Sequence, residues 1–221
     1  MTRLLVLRPE PGASASVERA RKHGFEAISI PLFAVEPVRW NAPKAEHFDG
    51  LLLTSANAVR HAGEQLRALR GLKVYSVGKQ TAVEAQAAGF TVAATGEAGV
   101  DELLASIGSD LRLLHLCGAD RRHPTSTGHK ITELPVYRSK PLAAPDLSAA
   151  RGAVVLVHSP RAARRLAELV TDRATISIAA ISETAASAAG NGWKRIEAAE
   201  RPTDEGLLAL AARLCNKPQP Q

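Results

Sequence analysis

One stretch of this chain occurs twice, and it limits the possible folds more than any other feature. Leu51 to Val59 reads Leu-Leu-Leu-Thr-Ser-Ala-Asn-Ala-Val, and Val155 to Ala163 reads Val-Leu-Val-His-Ser-Pro-Arg-Ala-Ala. In each, a short aliphatic run stops at a Ser and an Ala-rich amphipathic stretch follows. That is the pattern of a buried parallel strand handing over to a helix, with Ser55 and Ser159 as candidate N-caps. With the spacing of 104 positions between those serines held fixed, Val74 to Val77 falls on Ile178 to Ile181, Gly78 on Ser182, and Leu103-Leu104 on Leu207-Leu208. Leu4 to Arg8 and Leu113 to Gly118 form a looser second pair. The chain reads as two copies of one α/β unit.

The 221 residues suffice for two small domains, and their 45% hydrophobic content for two cores. Aromatics are only 4%, so the cores are expected to be built from Ala, Val, Leu and Ile. The balance of 28 Lys and Arg against 22 Asp and Glu, a net charge of +6, suits either a solvated basic surface or an anionic partner. Nucleic acid is disfavoured, because no basic run is interleaved with aromatic stacking platforms. Cys117 and Cys215 lack CxxC spacing and cannot make a metal cluster; they read as buried hydrophobes of a reducing cytosol. No apolar run reaches membrane-spanning length, and Met1-Thr2-Arg3 enters a strand rather than a signal peptide, so no membrane partner and a cytoplasmic location are expected.

In chain order, Arg3 to Leu7 is expected to be a strand, followed by a helix capped by Ser14 or Ser16 and a strand from Ala27 to Ile30. Strands are expected at 51–53, 74–77, 91–93, 113–116, 153–157, 176–181 and 195–197. Helices are expected after Ser55, Gly78, Asp101, Ser159, Ser182 and Thr203. The first of these would carry Val59, Ala62, Leu66 and Leu69 on one apolar face. Two proline-bearing stretches, 33–39 and 133–142, read as extended connectors between domains. Residues 1–32 plus 143–215 would then form a discontinuous lobe, 40–132 a continuous one, and 216–221 a disordered tail; a simple tandem split is the competing layout.

Several sites, in order, resemble one family. They are Leu7 to Pro9, the Phe-Asp-Gly-Leu-Leu-Leu-Thr-Ser-Ala-Asn-Ala-Val run from Phe48 to Val59, Val77 to Ala82, Val136-Tyr137-Arg138, His158 to Arg161, and Ala179 to Ala185. Together the set resembles the uroporphyrinogen-III synthase family. The resemblance implies two flavodoxin-like lobes with parallel sheets, one of them discontinuous, joined by a two-stranded extended connector, with the active site in the cleft between them. It implies cyclisation of hydroxymethylbilane, with inversion of the last pyrrole ring and loss of water, and it implies no metal or organic cofactor. The partner would be a linear tetrapyrrole with eight carboxylates. The resemblance leaves open a transient handover from hydroxymethylbilane synthase, and the protein is expected to be a monomer.

A substrate with eight carboxylates needs N–H donors and cations, and the strand-to-helix corners offer both. The candidate substrate-binding residues are Arg8, Ser55, Ala56, Asn57, Gly78, Lys79, Arg121, Arg122, Ser159, Arg161 and Thr184. Each corner could equally be an ordinary helix cap, and Arg8 could simply cover the end of its strand. Lys79 and Arg161 lie near helix N-termini, where the dipole does not favour a cation, which makes a carboxylate partner more plausible. Loss of hydroxide needs a proton donor, and Tyr137 is the candidate catalytic residue, matching the family's functionally important tyrosine; packing at the hinge is its alternative role. His158 and His115 read as structural. Two departures from the family pattern stand out. Pro124 and Gly128 interrupt the segment after Gly118, where the family has a longer helix, and Glu183 places a negative charge at the Ser182 corner. The competing reading is a two-lobed anion-binding module without catalysis.

Overall fold

The computed structural model describes residues 3–97, 99–120, 123–124 and 128–216. Two parallel-dominated sheets organise the chain. The five-stranded sheet has the order β11-β10-β9-β1-β2, and the six-stranded sheet the order β3-β8-β7-β4-β5-β6. The chain divides into two compact units, residues 1–34 with 141–221, and residues 35–140.

In the first unit the strands are β1 (Leu4–Val6), β2 (Ala27–Ser29), β9 (Val154–Val157), β10 (Ser177–Ala180) and β11 (Arg195–Ala198). Every neighbouring pair is parallel. Because side chains alternate along a strand, this sheet buries both faces. Leu5, Val155, Val157, Ile178 and Ala180 pack on one side with α5 (Pro160–Leu169) and α6 (Glu183–Ala188). Leu4, Val6, Val154, Leu156 and Ala179 pack on the other with α1 (Gly12–Lys22) and α7 (Asp204–Asn216). Helix α1 starts before the expected serine caps. Its N-cap is Pro11, with no side-chain cap. Ser14 instead bonds Glu10, and Ser16 turns inward to Asp204.

In the second unit β4 (Gly50–Leu53), β5 (Lys73–Val77), β6 (Val92–Gly96), β7 (Arg112–Gly118) and β8 (Lys130–Pro141) pair in parallel in the order given, with β3 (Phe33–Pro37) at the edge beside β8. Leu51, Leu53, Val74, Leu114 and Leu116 meet α2 (Ala56–His61) and α3 (Lys79–Ala87) on one face. On the other face Leu52 and Leu113 meet α4 (Val100–Ser106) through Leu103 and Leu104. The single helix expected after Ser55 is broken: α2 stops at His61, Gly63 takes a φ of 69°, and Glu64–Leu69 continues as a 3₁₀ turn. Val59, Ala62, Leu66 and Leu69 nevertheless all stay buried.

The two units are one design. A shift of 104 positions carries the first residues of β4, α2, β5, α3 and α4 onto those of β9, α5, β10, α6 and α7. β7 and β8 then stand in their sheet where β1 and β2 stand in theirs. The unit is therefore entered at a different strand in each copy. The proline-bearing stretches are built into this scheme as neighbouring strands of the six-stranded sheet. Pro135 is accommodated opposite a register shift at Cys117/Gly118, as expected for a proline within a ladder. No helix of the described residues is long and apolar enough to cross a membrane.

Candidate functional site

In parallel α/β sheets, ligand chemistry gathers at the carboxyl ends of the strands, where chain turns expose backbone N–H groups. In the second unit this end holds Tyr137, Ser55, Ala56 and Asn57. Ser55 caps α2, its Oγ accepting from the backbone N–H of Asn57 at 3.2 Å. The same side chain lies near enough to the phenol of Tyr137 to favour its ionised form. Tyr137 lies in the second extended stretch, on β8, half-buried, with the ring of His61 6.2 Å away. Burial pushes its phenol above the ordinary tyrosine value, with Ser55 pulling the other way and Cys117 adding to the rise. The group therefore stays protonated at neutral pH. Gly118 makes room for this ring: a Cβ there would sit 2.9 Å from two atoms of it. Gly78 and Lys79 form the next corner, after β5. Gly78 needs its glycine, with φ at 81°. Lys79 finds its carboxylate within the chain, at Glu97, 3.1 Å away. Both groups are mostly exposed, so the pair contributes little.

In the first unit, Arg8, Ser159, Arg161 and Thr184 lie at the ends of the adjacent strands β1, β9 and β10. Ser159 caps α5 through the N–H of Ala162 at 3.1 Å. Ser182 caps α6, and its hydroxyl meets that of Thr184 at 2.9 Å. The guanidinium of Arg161 stacks over Phe33, 4.6 Å from the ring centroid. Arg8 is not simply a cover for its strand; it is tied into a cluster that the sequence did not reveal. Asp204, the first residue of α7, accepts from Arg8 at 3.2 Å, from the Ser16 hydroxyl at 2.9 Å and from Arg19, and pairs with His158 at 3.3 Å. The side chain of His158 is 8% accessible. His158 above all, then Ser16 and Arg8, hold the Asp204 carboxyl far below the usual range, against the opposing effect of burial.

Arg121 and Arg122 lie outside the described residues. Residues missed from sequence are Asp204, Gly118 and His61, together with the partners of His115. The local signals were a helix-initial Asp, a Gly ending an apolar strand, and one His within the Leu-rich run 113–116. Of two surface hollows of the first unit, one borders the Ser182 corner, lined by Glu183, Ala186 and Ala198, and the other lies elsewhere. The latter is lined by Arg151, Leu169, Asp172 and Ile176 in the loops that enter β9 and β10, at the opposite end of the sheet from the predicted residues.

The geometry defines a class: a duplicated α/β protein whose polar and cationic side chains collect at strand-to-helix corners in both copies. The model of the family described as uroporphyrinogen-III synthase HemD matches residues 14–209. The chain belongs to that family. A uroporphyrinogen-III synthase from Chlorobaculum parvum is 29% identical over 101 residues, which cover 42% of this chain and 41% of that relative. The sequence match thus spans less than half of the curated relative. Two solved structures share the fold at 18% identity. The uroporphyrinogen-III synthetase from Helicobacter pylori has a TM-score of 0.69, covering 97% of this chain and 100% of its own. A mutant uroporphyrinogen III synthase from Thermus thermophilus has a TM-score of 0.56, covering 98% and 100%.

Proposed function

We propose that this chain cyclises hydroxymethylbilane to uroporphyrinogen III, inverting the terminal pyrrole ring and eliminating water, as a monomeric cytoplasmic hydro-lyase of tetrapyrrole biosynthesis. The observation that carries this reading is the Tyr137–Ser55 pair at the corner after β4. A phenol whose proton is retained by burial, set beside a cap residue, is suited to hydrogen-bond the departing hydroxyl and assist its loss as water. Backbone N–H groups after Ser55, Gly78, Ser159 and Ser182, with Arg8, Arg161 and Lys79, would receive substrate carboxylates. The bilane closes without an enzyme to the uninverted isomer, so holding the chain folded for the inverted closure supplies the selectivity. Transient handover from hydroxymethylbilane synthase fits a reactive substrate of this kind.

The test generates hydroxymethylbilane in place with its deaminase, adds this protein, oxidises the product and separates the porphyrin isomers. Isomer III is expected to dominate. Tyr137→Phe is expected to lower kcat about 10–100-fold, the scale of one general acid or hydrogen-bond donor. Isomer I alone, from protein shown to be folded, would leave the two-lobed anion-binding module as the reading.

A further inference from the structure

A second polar chain meets the same corner from behind. The last residue before Ser55 is Thr54, half-buried. Its Oγ1 lies 3.0 Å from Nε2 of His115, an imidazole on β7 that is 1% accessible. The other ring nitrogen faces Oε1 of Glu133 on β8 at 3.7 Å, and Oε2 of Glu133 pairs with Nδ1 of the exposed His123 at 2.9 Å. Thr54, His115 and Glu133 thus stand on three successive strands, β4, β7 and β8. His115 and Glu133 are register partners, and His115 pairs with Leu52, two residues before Thr54.

The internal repeat indicates that this chain is a departure from the common scaffold rather than part of it. In the first unit the register place of His115 is held by Val6, opposite Leu156, and that of Glu133 by Ser29. Val6 packs with Ala13 and Val17 of α1. The fold therefore accepts an aliphatic residue at this point, and a buried imidazole aimed at a corner hydroxyl calls for another explanation. At 3.7 Å the contact is longer than a hydrogen bond, and the negative charge of Glu133 favours a proton on the facing Nδ1 of His115. Nε2 of the neutral ring is then an acceptor, and it takes the hydrogen of the Thr54 hydroxyl. That leaves the lone pairs of Oγ1 available to accept, as in a hydroxyl–imidazole–carboxylate series whose last contact is electrostatic.

We propose that Thr54, oriented by the His115–Glu133 pair, is a hydrogen-bond acceptor for a pyrrole N–H of the substrate at the corner after β4. His115 and Glu133 are positioning residues; Thr54 alone touches substrate. The proposal rests on the tetrapyrrole reading above and deepens it. Loss of hydroxide leaves positive charge on the terminal pyrrole and makes its N–H a stronger donor. An acceptor fixed beside it therefore stabilises the charged species more than the starting bilane. Tyr137 and Thr54 then divide the corner between them, a donor for the leaving oxygen and an acceptor for the ring left behind.

The experiment has two readouts. Imidazole ¹⁵N NMR of the full chain should show His115 protonated at Nδ1 and bare at Nε2, with the Nε2 signal moving in Thr54→Val. In the coupled assay, Thr54→Val and Glu133→Gln should each lower kcat about tenfold with little change in KM. The double variant should be no worse than Thr54→Val alone, and Thr54→Ser should retain most activity. A proton on Nε2, additive losses in the double variant, or a folded Thr54→Val as active as the parent would each overturn the proposal while leaving the synthase reading intact. A parent protein that yields only isomer I would overturn both.

Discussion

The two units share strand order and element starts, yet they cover their sheets unequally. In the first, α1 and α7 close one face over Leu4, Val6, Val154 and Leu156, with Leu207, Leu208, Leu210 and Leu214 among the buried residues. In the second, the buried apolar cluster on the matching face is smaller, Leu52, Leu103, Leu104 and Leu113, with α4 as its helix. Where α1 connects β1 to β2, the described residues between β7 and β8 contain no helix. The difference teaches what the missing cover makes available. His115 lies on that face, two residues from Leu113, and α4 is the helix packed there among the described residues, where the first unit has both α1 and α7. The first unit builds a different polar cluster at the equivalent corner, where His158, the counterpart of Thr54, pairs with Asp204 at the start of α7, and it keeps Val6 under α1.

Matched leucines should expose this asymmetry most strongly. Leu207 and Leu103 occupy equivalent helix positions and are 0% and 1% exposed. Leu207→Ala opens a cavity in a closed two-helix layer and is expected to cost about 4 kcal/mol, whereas Leu103→Ala, under thinner cover that can relax, should cost about 2–3 kcal/mol. The two tryptophans make this measurable unit by unit. Trp40 belongs to the second core, its Nε1 donating to the Ala62 carbonyl at 2.8 Å, and Trp193 packs on the first, donating to the Ala189 carbonyl at 3.0 Å. Urea unfolding of Trp40→Phe and Trp193→Phe backgrounds isolates each probe. Equal losses would break the comparison, and so would two probes that always move together, since the units would then unfold as one cooperative block.

Asp204 gives the next largest effect, and one with a pH signature. Its carboxyl is held below the unfolded value of about 4 by His158, Ser16 and Arg8. A depressed carboxyl stabilises the fold at pH above the unfolded value, and that stability is lost as pH falls through the folded one. Asp204→Asn should therefore destabilise the Trp193 transition by about 2 kcal/mol at neutral pH. The gap between variant and parent should close as the solution is acidified below about pH 4. The second unit has a contrasting pair, Asp49 with Arg112. There a hydrogen bond from the Arg112 side chain, then one from its backbone N–H, draws the carboxyl down to about 2. That pair is solvent-exposed, and Asp49→Asn should leave the Trp40 transition nearly unmoved. An Asp204 variant with unchanged acid behaviour would show that its four partners do not act through the charge.

What could be read from the sequence was what the chain decides locally. An aliphatic run followed by Ser fixes a strand, a cap and a helix within a dozen residues, so the Ser55, Ser159 and Ser182 corners and the repeat spacing could be recognised directly. The Asp204 cluster could not, because Arg8 and Ser16 lie 196 and 188 positions away from it and only the sheet order brings them together. Ser16 illustrates the ambiguity: locally a good cap, it is used inside α1 for a distant carboxylate. Tyr137 read as part of a connector because Pro135 and Pro141 flank it, and the ladder irregularity that admits Pro135 follows from pairing with Cys117 and Gly118. The Tyr137–Ser55 pair and the room left by Gly118 are likewise properties of register, which no stretch of sequence displays.

The smallest effect separates capping from chemistry at two equivalent serines. Ser55 and Ser159 both cap the helix that follows the equivalent strands β4 and β9, through Asn57 and Ala162 respectively. Loss of either hydroxyl to Ala should cost about 1 kcal/mol, since one backbone N–H loses its acceptor in each case. Stability alone cannot tell them apart. Ser55 also faces the phenol of Tyr137 and favours its ionised form, so its removal changes the surroundings of the group on which the proposed proton donation depends. Ser55→Ala should therefore lower kcat several-fold more than Ser159→Ala at matched stability, and Tyr137→Phe should abolish that difference in a double variant. Equal kcat losses for the two serines would mean that the corners serve the reaction alike, and that Ser55 does not act through the phenol.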